Sequence, residues 1–420
     1  MCHVLTVEVG RCWCLPPSVM CHVFTVEVGR CATSSPWRFG NLVTMEWWTD
    51  LWLNEGFATW VGWRAVHELF PDWGVWEQFV VDEQGRGLNL DSLKSSHPIE
   101  VEIANSSQVF EIFDAISYSK GSCVIRMLDA FLGENTMREG LRLYIKRHQY
   151  QNASTKDLWG ALEEVSGKPV KSLMNCWTQQ TGYPVVSVSK GEGSQIAISQ
   201  QRFLGTGPDA EDRTTWMVPL RATAEGGAAV GDVLEGQAQE LALGDAAWVK
   251  LNSGQSGFYR VSYDPQLLLG LAAALPQLSV ADRVGIVGDA FALASAGYSS
   301  SAKALALLQH YHAEDSYVVW SEIASGMSSL MSTWYEGPPE VLQGLEKFAA
   351  SLYAPVALKL GWDPQPAPGT SRWQALRTLG KTLASEQLSA GRRAPHRNSS
   401  HVLCWRGDES KAGLVQHVLC

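Results

Sequence analysis

Glu55 sits in a run crowded with aromatic and aliphatic residues, Trp47–Trp48–Thr49–Asp50–Leu51–Trp52–Leu53–Asn54–Glu55–Gly56–Phe57–Ala58. Read as a helix, this run places positions 48, 51, 52 and 55 on one face. An ionised, unpaired carboxylate on such an apolar stripe would cost on the order of several kcal/mol. It therefore needs a cation, and a metal ion is one answer. The other is a kink near Gly56 that lets the carboxylate reach water or an arginine. Thr59, four residues on, shares the face; its hydroxyl either orients the carboxylate or bonds the backbone of its own helix.

Tyr118 is the second residue with chemistry to offer, because a neutral phenol donates one directed hydrogen bond at physiological pH. Taken alone it reads as a tyrosine at a helix start, ring in the core and hydroxyl in water. The other candidates read more plainly. Lys120 is expected to be solvated beside the same helix start. His67, in Ala65–Val66–His67–Glu68–Leu69, has no second histidine near it and is expected on a solvated helix face. His97 precedes Pro98, which favours an extended loop, and nothing in the sequence converges on it. Glu46 and Asp50 most simply face solvent or cap neighbouring elements.

The elements that would position these residues fall into three blocks. Residues 40–184 read mostly helical, with amphipathic runs at Gly121–Phe131, Thr136–His148 and Thr155–Val165. Ser154–Thr155 is a cap for the last of these, and Gly133 and Gly167 mark breaks. Tryptophans 47, 48, 52, 60, 63, 73 and 76 imply a large aromatic core in this block. Residues 185–268 change period: Val185–Ser189, Gln195–Ile198 and Trp248–Leu251 alternate like strands, with Gly, Ser and Asp turns between them. Residues 269–384 return to Ala- and Leu-rich helical patterns, interrupted by Gly297 and the Pro-rich Asp363–Gly369 loop. From about residue 385 the chain turns basic and shows no periodicity.

At 420 residues the chain is long enough for two to four domains with cores of their own. A formal net charge of −10 argues against nucleic acid or anionic membrane surfaces as partners. No apolar run approaches the roughly 20 residues of a spanning helix, and no signal peptide is evident. Of nine cysteines, only Cys123 and Cys176 lie in the patterned body. That suits a reducing compartment without a disulfide framework and points to the cytoplasm. The terminal Cys and His residues (Cys2, His3, Cys12, Cys14, Cys21, His22, Cys31) match no standard zinc spacing.

Asn41–Leu42–Val43–Thr44–Met45–Glu46–Trp47–Trp48, running into Leu53–Asn54–Glu55–Gly56–Phe57–Ala58, resembles the zinc metallo-aminopeptidases of the puromycin-sensitive and membrane alanyl aminopeptidase type, a gluzincin family. Further motifs follow in the family's order: Ser96–His97–Pro98–Ile99, Phe113–Asp114–Ala115–Ile116–Ser117–Tyr118–Ser119–Lys120–Gly121, Gly182–Tyr183–Pro184–Val185 and Gly254–Gln255–Ser256–Gly257–Phe258–Tyr259–Arg260–Val261. Asp282–Arg283, Asp289–Ala290–Phe291 and Tyr317–Val318–Val319–Trp320 extend the likeness, which covers about residues 39–384. The resemblance implies a multidomain, mainly α fold with a small β-sandwich. It divides the chain into a non-family segment at 1–38, the C-terminal half of a thermolysin-like domain at 39–184, a β-sandwich at 185–268, part of an armadillo/HEAT-like α-helical repeat domain at 269–384 and a non-family tail at 385–420. It also implies that Glu55 is a zinc ligand, that Tyr118 stabilises the oxyanion of a tetrahedral intermediate, and that the substrates are peptides cleaved at their N-terminus.

The same resemblance exposes a gap. In the family an H-E-x-x-H helix supplies two more zinc ligands and the general base. Counting back nineteen residues from Glu55 reaches Pro36, and the positions of that motif here read Ala32–Thr33–Ser34–Ser35–Pro36. Glu55 is then the sole surviving zinc ligand. Catalytic zinc normally has three protein ligands, so the chain is not expected to retain the metal or to cleave peptides by the family's route. The G-A-M-E-N segment that reads the substrate amine is also absent, and with the upstream β-domain missing, residues 39–184 expressed alone are expected to be poorly soluble. Residues 1–12 recur as 20–31 with Leu5 replaced by Phe24, and His401–Cys404 recurs as His417–Cys420. Such short repeats read like noncoding sequence joined to a family body. The alternative to a family enzyme is a non-catalytic pseudoenzyme fragment that binds peptides or a protein partner.

Overall fold

The computed structural model describes residues 40–227, 229–230 and 233–360. The repeats at both ends, positions 32–36 and the Asp363–Gly369 loop lie outside the described residues.

The first region is helical because its apolar residues recur at helical spacing and are punctuated by caps. After a short strand β1 (Val43–Met45), a 3-10 turn at Trp48–Asp50 leads into α1 (Trp52–Leu69). Trp52, Leu53, Phe57, Trp60 and Val61 are its buried apolar side chains. Each such side chain contributes about 1.5–3 kcal/mol by leaving water. Two shorter helices follow, α2 (Val75–Phe79) and α3 (Gly85–Asp91), joined by a π turn at Val80–Gln84. Then come α4 (Gly121–Leu132), α5 (Glu134–His148), strand β2 (Gln151–Ala153), α6 (Thr155–Ser166) and α7 (Val170–Thr178). Three of these match the expected amphipathic runs. Gly133 and Gly167 take positive φ at the expected breaks, 85° and 65°. Ser154 and Asp157 form a capping box at the start of α6.

Asp50 ties the start of α1 to α6. Its carboxylate accepts from the Thr155 N–H at 3.0 Å and the Thr155 hydroxyl at 2.6 Å. That hydroxyl also accepts from Trp52 Nε1 at 3.0 Å. Of the two placements open to Asp50, solvent or a cap, it takes the cap, and a buried one. The parallel pairing of β1 with β2, Val43 opposite Gln151, had no periodic signal to announce it.

From Pro184 the chain turns to strands, and in Gln195–Arg202 the burial alternates. Strands β3 (Pro184–Lys190) and β4 (Gln195–Arg202) pair antiparallel, with Val188 opposite Ile198. Short strands β5 (Val218–Pro219), β6 (Ala222–Ala224), β7 (Ala229–Val230), β8 (Val233–Leu234), β9 (Ala238–Ala242), β10 (Val249–Lys250) and β11 (Arg260–Tyr263) complete three sheets, ordered β11-β3-β4-β9, β10-β6-β7 and β5-β8. The last region is helical again: α8 (Pro265–Ala273), α9 (Val280–Ser295), α10 (Ser301–Leu308), α11 (Tyr317–Thr333) and α12 (Pro339–Leu360). Asp264, Ser279 and Ser300 cap the first three with side-chain oxygens.

One apolar core runs through all three regions. Its polar joint is the loop at 252–257. Gln84 Nε2 donates to the Gly257 carbonyl at 2.7 Å, Arg126 Nη2 to the Gly254 carbonyl at 2.8 Å, and the Gly254 N–H to Asp282 at 2.7 Å. Among the described residues no helix is long and apolar enough to cross a membrane.

Candidate functional site

Glu55 lies in the first turn of α1, half-buried. Gly56 is inside a continuous helix, so the kink that would have freed the carboxylate is not there. What Gly56 provides is close approach. A Cβ at Gly56 would stand 3.0 Å from the Gly121 carbonyl carbon, and one at Gly121 would stand 3.3 Å from the Gly56 Cα. With no side chain on either, the starts of α1 and α4 touch backbone to backbone.

Immediately before α4 the chain makes a π turn, Ile116–Lys120. The Lys120 N–H bonds the Ala115 carbonyl at 2.9 Å, five residues back, and the Gly121 N–H bonds the Ile116 carbonyl. The wider turn carries Tyr118, and the glycine contact sets it against α1. The Tyr118 hydroxyl lies beside the Glu55 carboxylate, near enough that each acts on the other's protonation. Burial raises the carboxyl pKa above its ordinary 4.5, and the tyrosine beside it only partly opposes this. Burial and the neighbouring Glu55 charge push the phenol upward as well, so it stays a neutral donor. π turns inside helices recur at functional sites.

The turn is held from several sides, and here the expectations for two residues need correction. Lys120 is not solvated. It is fully buried, 2.9 Å from the equally buried Asp91, and donates to the Gly182 carbonyl at 3.0 Å. The wider turn aims it inward, at a partner the local sequence does not reveal. His97 does have convergence: its Nε2 lies 2.9 Å from Asp114 Oδ2. The Ser119 hydroxyl adds a third tie, to Glu83 at 2.6 Å. None of Asp91, Asp114 and Glu83 was singled out from sequence. Asp114 alone left a signal, an Asp two residues before the start of a helical turn, as in an Asx cap.

Thr59 takes the second of the two placements open to it. Its one proton goes to the Glu55 main-chain carbonyl at 2.8 Å, not to the carboxylate. His67 is half-buried rather than solvated, its ring 6.0 Å from that of Trp76. Beside the site runs an aromatic row, Trp48, Phe113 and Tyr118, with ring centroids 6.4 and 6.5 Å apart. Phe113 is 41% exposed, Trp47 55% and Phe110 84%. A cleft of about 590 Å³, lined in part by Arg64, Trp76, Arg126 and Arg221, includes neither Glu55 nor Tyr118.

Among the described residues no group of three or more His, Cys, Asp or Glu side chains could hold a metal. Glu55 with a phenol is one carboxylate and one neutral donor, so the described side chains do not fit a catalytic zinc.

This helical region, with a Glu–Tyr pair where the starts of two helices meet, lies in a stretch with counterparts in other sequences. Residues 36–177 match the Peptidase family M1 domain, and residues 248–393 match the ERAP1-like C-terminal domain. The chain belongs to the M1 aminopeptidase family. It is 42% identical over 355 residues to the alanine/arginine aminopeptidase of Saccharomyces cerevisiae, covering 84% of this chain and 41% of that protein. It is 44% identical over 328 residues to the mitochondrial aminopeptidase 2 of the same yeast, covering 77% and 34%. To aminopeptidase M1 of Arabidopsis thaliana it is 43% identical over 346 residues, covering 78% and 39%. The chain thus spans well under half the length of these relatives.

Proposed function

We propose that residues 40–360 are the part of an M1 aminopeptidase that carries one zinc ligand, Glu55, and the oxyanion donor, Tyr118, and that the chain as written does not hydrolyse peptides by the family's route. The observation that carries this reading is Tyr118 set beside Glu55 across the Gly56–Gly121 contact, combined with Ala32, Thr33 and Pro36 where two histidines and a general base belong. Pro36 would also interrupt a helix there. In this reading the first region is the C-terminal half of a thermolysin-like domain, the strand region a β-sandwich, and the last helices part of an armadillo/HEAT-like repeat. The natural substrates of the complete enzyme would be peptides, and the compartment cytoplasmic.

A second reading draws on the exposed Trp47, Phe110 and Phe113, the last of them in ring contact with Tyr118. Exposed aromatic rings suit a non-catalytic binder of peptides or of a protein partner. Zinc content and turnover of an aminoacyl reporter by the purified chain separate the two from a working enzyme. No stoichiometric zinc and no turnover are expected. About one zinc per chain with turnover would overturn the proposal, and peptide affinity without turnover would favour the binder. Mass-spectrometric mapping upstream of Asn41 in the endogenous protein checks the premise: peptides reading Val28 to Arg38 as written uphold it, and a His-Glu-x-x-His peptide joined to Phe39–Gly40 removes it.

A further inference from the structure

Asp114 meets the segment that carries Tyr118 at three points. Its Oδ1 accepts the N–H groups of Ile116 at 2.8 Å and Ser117 at 3.3 Å, closing the start of the π turn. Its carbonyl accepts the Tyr118 N–H at 3.1 Å. Its remaining oxygen, Oδ2, faces His97 Nε2 at 2.9 Å.

His97 is placed between two acceptors. Nδ1 lies 2.7 Å from the Pro98 carbonyl, and Nε2 faces the Asp114 carboxylate. A neutral imidazole donates from one nitrogen only, so it would set a lone pair against one of these oxygens. The imidazolium donates to both. Asp91 is the other charged group acting on the ring, and it is itself paired to Lys120. The hydrogen bond to Asp114 raises the His97 pKa above the ordinary 6.5 although burial opposes the charge. Burial pushes the Asp114 carboxyl up, but the His97 hydrogen bond and charge, with the two N–H groups, bring it below its ordinary 3.8.

We infer that His97, as the imidazolium, is a positioning residue: through Asp114 it holds the π turn that presents the Tyr118 hydroxyl to Glu55, and loss of its proton loosens that presentation. The catalytic meaning of this clamp rests on the oxyanion role proposed for Tyr118; the clamp itself does not. The sign follows from the two shifts. A raised histidine pKa gives a contribution complete below about 6.5 and lost as pH rises through the higher folded-state midpoint. The lowered Asp114 pKa gives one complete above about 3.8 and lost as pH falls through a lower midpoint. The clamp is closed between them and opens on the alkaline side.

The test uses the full chain with ¹³C-labelled tyrosine rings, Tyr118 being assigned by the signal missing in Tyr118→Phe. The His97 ring nitrogens and the Tyr118 ring are followed from about pH 5 to about pH 9. Both His97 nitrogens should carry protons at the lower end, with a midpoint above 6.5, and the Tyr118 signal should move with that same midpoint. In His97→Gln, whose amide donates to Asp114 at any pH, the Tyr118 step should vanish. A Tyr118 signal flat through the His97 midpoint overturns the inference, as does a step that survives in folded His97→Gln. If that variant does not fold, coincidence or disagreement of the two wild-type midpoints decides alone. Zinc content and turnover test the proposed function separately, so either idea can fail without the other.

Discussion

The π turn at 116–120 stands between two carboxylates, and they are treated very differently. On one side Asp91 is wholly out of water and accompanied by a cation and two donors: Lys120 Nζ at 2.9 Å from Oδ2, and the Ser96 hydroxyl at 2.7 Å and the Gly182 N–H at 3.0 Å on Oδ1. On the other side Glu55 is only half-buried, has one neutral phenol beside it, and has its pKa raised by burial. A charge sealed in the interior is tolerated when a cation and directed donors accompany it. A carboxylate left at a partly open seam with a single donor is poorly solvated and chemically available. The contrast separates a fastening from a site, although both hang on one short turn.

The sharpest way to break this comparison is to remove the cation on the sealed side. Lys120→Met strands Asp91 without its counter-charge, and the expected loss is about 3–5 kcal/mol in chemical unfolding. Asp91→Asn combined with Lys120→Met should lose less than the single lysine variant, because no charge is then left buried. A loss under about 1 kcal/mol for Lys120→Met would show that water reaches the pair, and the two sides of the turn would no longer differ.

These unequal roles were unequally legible in the sequence. Helices with a clear apolar stripe, such as Gly121–Leu132 and Thr155–Ser166, and strands with alternating burial, such as Gln195–Arg202, depend on neighbours three, four or two residues away. Their signal is local. The π turn adds a residue to a helical ladder without any marking in residue type. Lys120 therefore read as a surface lysine, though its partner lies on α3. The His97–Asp114 contact joins residues 17 positions apart across a loop, and no periodicity reports such a pair. Glu55 and Tyr118 were singled out together only through resemblance to a family. Taken as isolated residues, Tyr118 read as an ordinary core tyrosine.

A second prediction addresses how the site is brought together. Gly56→Ala places a methyl 3.0 Å from the Gly121 carbonyl carbon and 3.3 Å from the Ser122 nitrogen, both backbone atoms that cannot swing aside. Alanine would by itself favour the helix by about 1 kcal/mol. Overpacking of about 1–3 kcal/mol should outweigh that, lower the unfolding midpoint, and move the Tyr118 ring signal as α1 and α4 part. A more stable Gly56→Ala protein would mean that the helices do not meet at this point. The glycine contact would then not be what joins Glu55 to Tyr118.

The smallest expected effects fall on the open side, and their sign carries the argument. Glu55→Gln keeps an acceptor for Tyr118 and removes a partly desolvated charge. It should raise the unfolding midpoint at neutral pH slightly, by no more than about 1 kcal/mol after allowance for the water that still reaches the group. Removing a single charge from the sealed pair should do the opposite. Thr59→Ala should change stability by less than about 0.5 kcal/mol, since its hydroxyl bonds only the carbonyl one turn back in its own helix. Suppose instead that Glu55→Gln destabilises the protein and Thr59→Ala adds to that loss. The carboxylate would then be held by partners in the folded chain as Asp91 is, and Glu55 would have to be read as a second fastening rather than as a site.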